Sequence, residues 1–168
     1  ASGSANLSFT SGIDDTYDKY VFKFYNMHPA TDSVPLKFNM STDSGSNYNV
    51  TKTTTFFRAY HNESDSAAAL GYDTGADLAQ STSFQELSAY IGNGADENCS
   101  GTLTLFSPSS TTFVKHFMSV TNGVEDRDYS WNSYIAGYGN TTSAVDAIRF
   151  QFSSGNIDSG VIKLYGVS

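Results

Sequence analysis

The residue types that most often perform acid–base or metal chemistry are few in this sequence and lie far apart. The three histidines are His28, His61 and His116, and no two have the short spacing that places both imidazoles on one metal ion. The single cysteine, Cys99, lies among Gly, Asn and acidic residues, with no basic neighbour to activate its thiol. We therefore expect these four residues to be structural or to lie at the surface.

Carboxylates are more numerous, and they form short clusters at Asp14, Asp15 and Asp18, at Glu63 and Asp65, and at Glu125, Asp126 and Asp128. Glycoside hydrolysis needs two carboxylates about 5–10 Å apart, a distance that spacing along the sequence does not establish. The segment STDSGSNYN, residues 41–49, loosely resembles a calcium loop but lacks the alternating acids and distal Glu of an EF-hand. We expect neither an enzyme nor a cofactor, while a hydrolase and a calcium site stay open as alternatives.

Aromatic side chains are the remaining candidates, because exposed Tyr and Trp rings can stack on sugar rings. Most aromatic residues in a β-sandwich of this size instead fill the core or an interface between subunits. Both interpretations stay open for the five aromatics that we select as possible glycan or partner contacts, namely Tyr48, Tyr72, Tyr129, Trp131 and Tyr138.

The composition limits the class of protein. The chain has a net charge of −8 and a pI near 4.5, which argues against binding to nucleic acid or to an anionic membrane surface. No apolar run approaches the roughly 20 residues of a membrane-spanning helix, and one cysteine excludes an internal disulfide. The sequence begins at Ala1 without a signal-peptide pattern, which leaves secretion undecided. The six Asn-X-Ser/Thr sequons follow from a composition rich in Asn, Ser and Thr.

Alternation of apolar and polar residues predicts that β-strands position these side chains. With Ser and Thr together numbering 42 and charged residues making up only 15%, the composition also favours strands and tight turns. We predict one domain, residues 1–168, that folds as an all-β, jelly-roll-like antiparallel sandwich of eight or nine strands. Several sets of residues are each predicted to share one face of a strand, namely Leu7 and Phe9; Tyr20, Phe22 and Phe24; Leu36, Phe38 and Met40; Leu103 and Leu105; Trp131, Ser133 and Ile135; and Ile148, Phe150 and Phe152, the last set with Arg149 and Gln151 facing outward.

Three finer predictions concern the connections. Turns are expected at several Gly-, Pro- and Asn-containing clusters, among them residues 27–29 and residues 121–123. Residues 63–90 break the alternation and are predicted to form a long excursion, with a helical turn and a strand near residues 84–91. Residues 161–167 are predicted to pair antiparallel with residues 148–152, placing Ile162 and Leu164 on the buried face.

Five segments together resemble a family of small, β-rich virion proteins of tailed bacteriophages, especially marine and cyanobacterial phages. In order along the chain they are FTSGIDDTYDKYVFKFYNMHP, STDSGSNYN, LFSPSSTTFVKHFMS, AGYGNTTSA and IRFQFSSGNIDSGVIKLYGV. The similarity covers residues 7–167 and is looser over residues 63–101. The resemblance implies a non-enzymatic virion component with a jelly-roll-like fold, and it carries over no catalytic residue.

We therefore expect a structural protein of a phage particle, either a capsid decoration or part of a fibre or appendage, made in the host cytoplasm and located in the virion. Its expected partners are other virion proteins and further copies of itself in a closed homo-oligomer such as a trimer. The alternative is a β-sandwich module that binds a receptor or a glycan on the host surface.

Overall fold

The computed structural model describes residues 1–168 and shows the predicted all-β antiparallel sandwich. It has twelve strands rather than eight or nine. The strands are β1 (Ser2–Ser4), β2 (Leu7–Phe9), β3 (Lys19–Pro29), β4 (Leu36–Ser41), β5 (Lys52–Asn62), β6 (Ala68–Tyr72), β7 (Gln85–Glu86), β8 (Cys99–Phe106), β9 (Lys115–Glu125), β10 (Tyr129–Gly139), β11 (Ala147–Phe152) and β12 (Ile157–Val167). The additional strands are β1, β6 and β7, which are too short or irregular to show alternation in the sequence.

Two sheets of unequal size form the sandwich. The large sheet has eight strands in the order β1-β12-β3-β8-β9-β10-β5-β6, and the small sheet has four in the order β2-β11-β4-β7. All neighbouring strands are antiparallel. The small sheet covers one face of the large sheet, which we call the inner face. No second sheet lies against the opposite face, which we call the outer face.

Aromatic side chains fill the space between the sheets, as the alternation predicted. Phe22 of β3 lies with its ring centroid 5.3 Å from Phe9 and 5.4 Å from Phe150 of the small sheet. Phe38 contacts Phe117 edge to face at 5.0 Å. Full burial of one such side chain contributes about 1.5–3 kcal/mol, so these contacts hold the two sheets together.

The predicted pairing of the last strand is wrong, although the strand itself is confirmed. β12 pairs with β3 in the large sheet, whereas β11 lies in the small sheet between β2 and β4. Residues 153–156 therefore carry the chain from one sheet to the other instead of closing a hairpin. Ile162 and Leu164 still point to the inner face, where they are partly buried against the core.

Two of the predicted turns also lie inside strands. Residues 27–29 end β3, and residues 121–123 lie within β9. A Cβ atom on Gly123 would lie 2.5 Å from Ile91 Cδ1 and 2.9 Å from the Cys99 Cβ atom, so this glycine permits close packing between segments. The turn that joins β9 to β10 comes three residues later and contains Asp128, with a φ of 60°.

The long excursion contains no helix. Its first part is strand β6, which forms a hairpin with β5, and its predicted last strand is reduced to the two residues of β7. Between β6 and β7 the backbone of the excursion forms hydrogen bonds with β5. The Thr54 amide donates to Leu78 O at 2.9 Å, and the backbones of Lys52 and Ser81 exchange two hydrogen bonds. Leu87 and Ile91 are buried, so the segment forms part of the core.

Candidate functional site

The outer face of the large sheet is the most extensive candidate for a functional surface, because it is uncovered and rich in apolar side chains. Successive residues of a strand point to opposite faces of the sheet and differ clearly in burial. In β9, Phe117 points inward and is buried, whereas its neighbour Met118 is 58% exposed on the outer face. The same alternation in β10 buries Ile135 and leaves Tyr134 half-buried on the outer face.

Cross-strand register assembles these outward side chains into one patch. Tyr134 lies opposite Phe57 on one side and opposite Val120 on the other, and its ring stacks on Phe57 with centroids 4.9 Å apart and planes at 7°. Tyr72 pairs with Phe57 across the hairpin, so the patch continues to the sheet edge. We call this patch the apolar outer face; its members are Phe57, Leu70, Tyr72, Met118, Val120 and Tyr134.

A shallow groove of about 460 Å³ runs beside this patch. Its walls come from β5, β9 and β10 and from Phe106 at the end of β8, with His116 and Tyr138 at one side. No acidic or basic side chain other than His116 lines the groove, in a chain whose net charge is −8. A surface of this kind suits an apolar side chain of a partner better than a polar substrate.

Two of the five selected aromatics are buried rather than exposed. Trp131 is only 8% exposed, and its ring stacks on Tyr60 at 5.0 Å while the Arg58 guanidinium lies 4.7 Å from its centroid. Tyr48 is buried beneath the guanidinium of Arg149, 4.0 Å from the ring centroid. Neither ring offers a free face to a sugar in this conformation.

The other three aromatics do not come together into one platform. Tyr129 and Tyr138 are half-buried at opposite ends of β10, and Tyr72 is 52% exposed on the edge strand, where its hydroxyl donates to Asp77 Oδ2 at 2.7 Å. Glycan binding by any one of them stays a prediction. This hydrogen bond with Asp77 raises the pKa of the Tyr72 hydroxyl.

The histidines lie in three separate places. His28 borders a polar cleft of about 560 Å³, where its Nδ1 atom is 2.6 Å from Glu97 O and its Nε2 atom is 4.0 Å from Asp158 Oδ2. His61 is exposed near the end of β5 and lies 3.1 Å from Asp65 in the following turn, and His116 lies on the outer face. No group of three or more His, Cys, Asp or Glu side chains is arranged to hold a metal ion.

Cys99 is fully buried at the start of β8, and burial raises the pKa of its thiol to about 12. A thiol with that pKa is protonated at neutral pH and is a poor nucleophile. The residue therefore acts as a small apolar side chain in the core.

Two buried lysines are the most unusual residues of the inner face, and sequence reasoning did not select them. Lys52 of β5 and Lys115 of β9 lie opposite Gly139 on the two sides of β10, and both are fully buried. Lys52 Nζ donates to Asn39 Oδ1 at 2.5 Å and to Val50 O at 2.7 Å. Lys115 Nζ donates to Phe113 O at 2.7 Å and to Thr141 O at 3.3 Å.

Neither lysine has a carboxylate partner, so burial dominates their titration. Burial lowers the pKa of Lys52 to about 7, and it also lowers the pKa of Lys115. The alternation did contain a signal for Lys115, because this residue lies on the same side of the strand as Phe117. Because both side chains are buried, they are structural features that respond to pH rather than groups accessible to a substrate.

No protein-family model matches the sequence, and a search of curated proteins gives no match. The structure contains no helix that is long and apolar enough to cross a membrane.

Proposed function

We propose that this protein is a non-enzymatic structural component of a tailed-bacteriophage particle, as a capsid decoration or as part of a fibre or appendage. In this role it associates with neighbouring copies of itself through the apolar outer face. The observation that carries the proposal is this face itself, a set of exposed and half-buried apolar side chains on neighbouring strands of the large sheet.

Exposed apolar patches of this kind usually mark contact surfaces, because their burial against a partner releases water from apolar surface. Identical copies of a chain with a net charge of −8 repel one another over most of their surface. The groove beside the apolar outer face has no Asp or Glu in its walls, and neither has a smaller depression lined by Phe57, Met118, Val120 and Tyr134, so copies can meet there without bringing acidic groups together. This favours a second copy as the occupant.

The long strands and the buried contacts between the two sheets suit a rigid structural component. Five of its strands are 11 residues long, and their antiparallel ladders are closed against the small sheet by buried aromatic contacts. The series of motifs that resembles the virion proteins supports the same role. The separation of His28, His61 and His116 and the burial of Cys99 support the non-enzymatic part of the proposal.

Receptor or glycan binding through the five selected aromatics has less support, because Trp131 and Tyr48 are buried. A glycan screen with Trp131→Ala would also disturb the stack on Tyr60, so loss of binding in that variant would not identify a sugar contact. Tyr72→Ala is the better variant for testing this alternative, because its ring is exposed.

The test is a protein inventory and copy-number measurement on purified particles, by mass spectrometry and by cryo-electron microscopy. We expect the chain to be a stoichiometric component of the particle. A copy number that matches the capsid subunits indicates decoration, and a small multiple of the tail symmetry indicates a fibre. Its absence from intact, purified particles would contradict the proposal.

A further inference from the structure

Two strands of the large sheet carry the same five-residue pattern. Residues 21–25 of β3 read VFKFY and residues 161–165 of β12 read VIKLY, so both have Val, Lys and Tyr at alternate positions. The strands are antiparallel, and Lys23 lies directly opposite Lys163. A local two-fold axis therefore passes between the two lysines and relates the two patterns to each other.

All three shared residues of each pattern point to the outer face. Tyr25 and Tyr165 are 41% and 42% exposed, and both lysines are exposed. We call the set Lys23, Tyr25, Lys163 and Tyr165 the lysine–tyrosine patch. It lies at the opposite side of the sheet from β5 and β6 and does not overlap the apolar outer face.

The two lysines form an unfavourable cross-strand pair, because like charges directly opposite each other on one face of a sheet repel. Each ammonium group lies over the tyrosine of the other strand, with Lys23 Nζ 5.4 Å from the Tyr165 centroid and Lys163 Nζ 5.8 Å from the Tyr25 centroid. Neither forms an ion pair with a carboxylate of this chain.

Most other cationic side chains have a different environment. Lys37, Arg58 and Arg127 are paired with acids. Lys52 and Lys115 are buried. The lysine–tyrosine patch thus concentrates unpaired positive charge on an otherwise acidic protein, with an aromatic ring at each end.

We propose that the lysine–tyrosine patch is a binding site for an acidic oligosaccharide. Carboxylate or sulfate groups accept hydrogen bonds from the ammonium groups of Lys23 and Lys163, and sugar rings stack on the faces of Tyr25 and Tyr165 that these ammonium groups leave uncovered. Along the strand direction the two tyrosines are about 14 Å apart, four residues at the rise of a β-strand, so the patch fits several linked sugars and not a single small anion. Its local two-fold symmetry lets a chain bind in either direction.

Other occupants fit the patch less well. A second copy that presented the same patch across a two-fold axis would bring four ammonium groups together. Nucleic acid requires a larger array of cations to offset the repulsion between its phosphates and a protein with a charge of −8. A linear acidic sugar carries its charges further apart and offers ring faces to the tyrosines.

The experiment measures binding to the full chain by fluorescence polarisation. The carboxylate probe is a fluorescein-labelled galacturonate hexamer, the sulfate probe is a labelled carrageenan hexasaccharide, and the neutral probe is the methyl-esterified galacturonate hexamer. Lys23→Gln/Lys163→Gln tests the charges, and Tyr25→Leu/Tyr165→Leu tests stacking. Lys37→Gln is the matched control, because Lys37 lies in the small sheet and pairs with Glu86 at 3.0 Å.

We expect at least one acidic probe to bind about tenfold more tightly than the neutral probe. The double lysine variant and the double tyrosine variant should each weaken binding by about tenfold, and Lys37→Gln should leave it within about twofold. Amide chemical shifts should move in residues 21–25 and 161–165 of the wild-type chain.

The inference is overturned if neither acidic probe binds, if the neutral probe binds equally well, or if the double lysine variant binds like the wild type. Equal competition by an unlabelled thymidine decanucleotide would show a non-specific affinity for polyanions and would also overturn it. The site is independent of the proposed structural role: a negative binding result leaves the particle inventory unaffected, and absence from particles leaves the binding result standing.

Discussion

The inner and outer faces of the large sheet come from alternate residues of the same strands, yet they perform different tasks. On the inner face, Phe22 and Phe117 contact the small sheet and are excluded from water. On the outer face, Phe57 and Met118 have the same apolar character but contact only their neighbours on the sheet. Stability should therefore depend on the inner face, and association on the outer face. A deletion and several substitutions can test this separation.

The largest effect is expected from removing residues 162–168, most of the last strand. β12 covers one side of β3 and contributes Ile162 and Leu164 to the core, so its loss would expose the β3 edge and part of the inner face. We expect the shortened chain to lose cooperative thermal unfolding in calorimetry. A soluble variant with an unchanged Tm would show that β12 does not contribute to the fold.

A matched pair of Phe→Ala substitutions compares the two faces directly. Phe22→Ala removes a fully buried ring that contacts Phe9 and Phe150, and we expect a loss of about 3–5 kcal/mol in the free energy of unfolding. Phe57→Ala removes an exposed ring that stacks on Tyr134, and we expect a loss of about 1 kcal/mol. Urea titrations measure both values. Equal losses would mean that the outer face is as important for folding as the core.

Lys52 makes the stability of the inner face dependent on pH. Its pKa falls from an ordinary value of 10.5 to about 7 in the folded protein, so between these values the unfolded chain binds more protons than the folded chain. Wild-type stability should therefore rise with pH from about 7 towards 10, by up to about 1.4 kcal/mol per pH unit. Below the folded pKa the lysine is charged in both states, and the destabilisation is complete.

Lys52→Met is the control that isolates this contribution. The difference in unfolding free energy between variant and wild type should change in favour of the wild type as the pH rises from 7 to 10. The same experiment with Lys37→Met, at an ion pair partly open to solvent, should give no comparable slope. A constant difference between Lys52→Met and wild type over this range would contradict the lowered pKa.

The division into faces was largely visible in the sequence, but the partners of each strand were not. Alternation placed Tyr20, Phe22 and Phe24 on one face of β3, because period two follows directly from strand geometry, and the structure buries that face. The same rule gave the correct face for Ile162 and Leu164 while the pairing of β12 was wrong. Alternation defines the face on which a residue lies and contains no information about the neighbouring strand.

The errors at the candidate site have a related origin. Trp131 shares its side of β10 with the buried Ile135, so the alternation contained a signal against an exposed ring at this position. Gly123 suggested a turn, but it serves close packing against Ile91 and Cys99. The repeated pattern of residues 21–25 and 161–165 is present in the sequence, whereas its two-fold arrangement depends on the register of β3 and β12.

On the outer face, Met118→Glu should affect association and leave folding nearly unchanged. The side chain is 58% exposed and borders both depressions of this face, so a carboxylate there would be buried between copies or would keep them apart. We expect light scattering to show dissociation towards the monomer, with a change in unfolding free energy of about 0.5 kcal/mol or less. Val161→Glu, on the outer face but away from this patch, should associate like the wild type. Dissociation of both variants, or a wild-type chain that is monomeric at all concentrations, would exclude this face as the contact.

The smallest effect is expected at the lysine–tyrosine patch, where function and stability should oppose each other. Lys163→Glu replaces the like-charged pair with Lys23 by an oppositely charged one, which should raise the free energy of unfolding by about 0.5 kcal/mol at low salt. Lys37→Glu is the inverse control, because Lys37 lies directly opposite Glu86 and the substitution creates a like-charged pair of similar cost. Both effects should decrease in 1 M salt. A loss of stability in Lys163→Glu would mean that the contacts of the ammonium groups with Tyr25 and Tyr165 outweigh their repulsion, and the lysine pair would then be explained by folding alone.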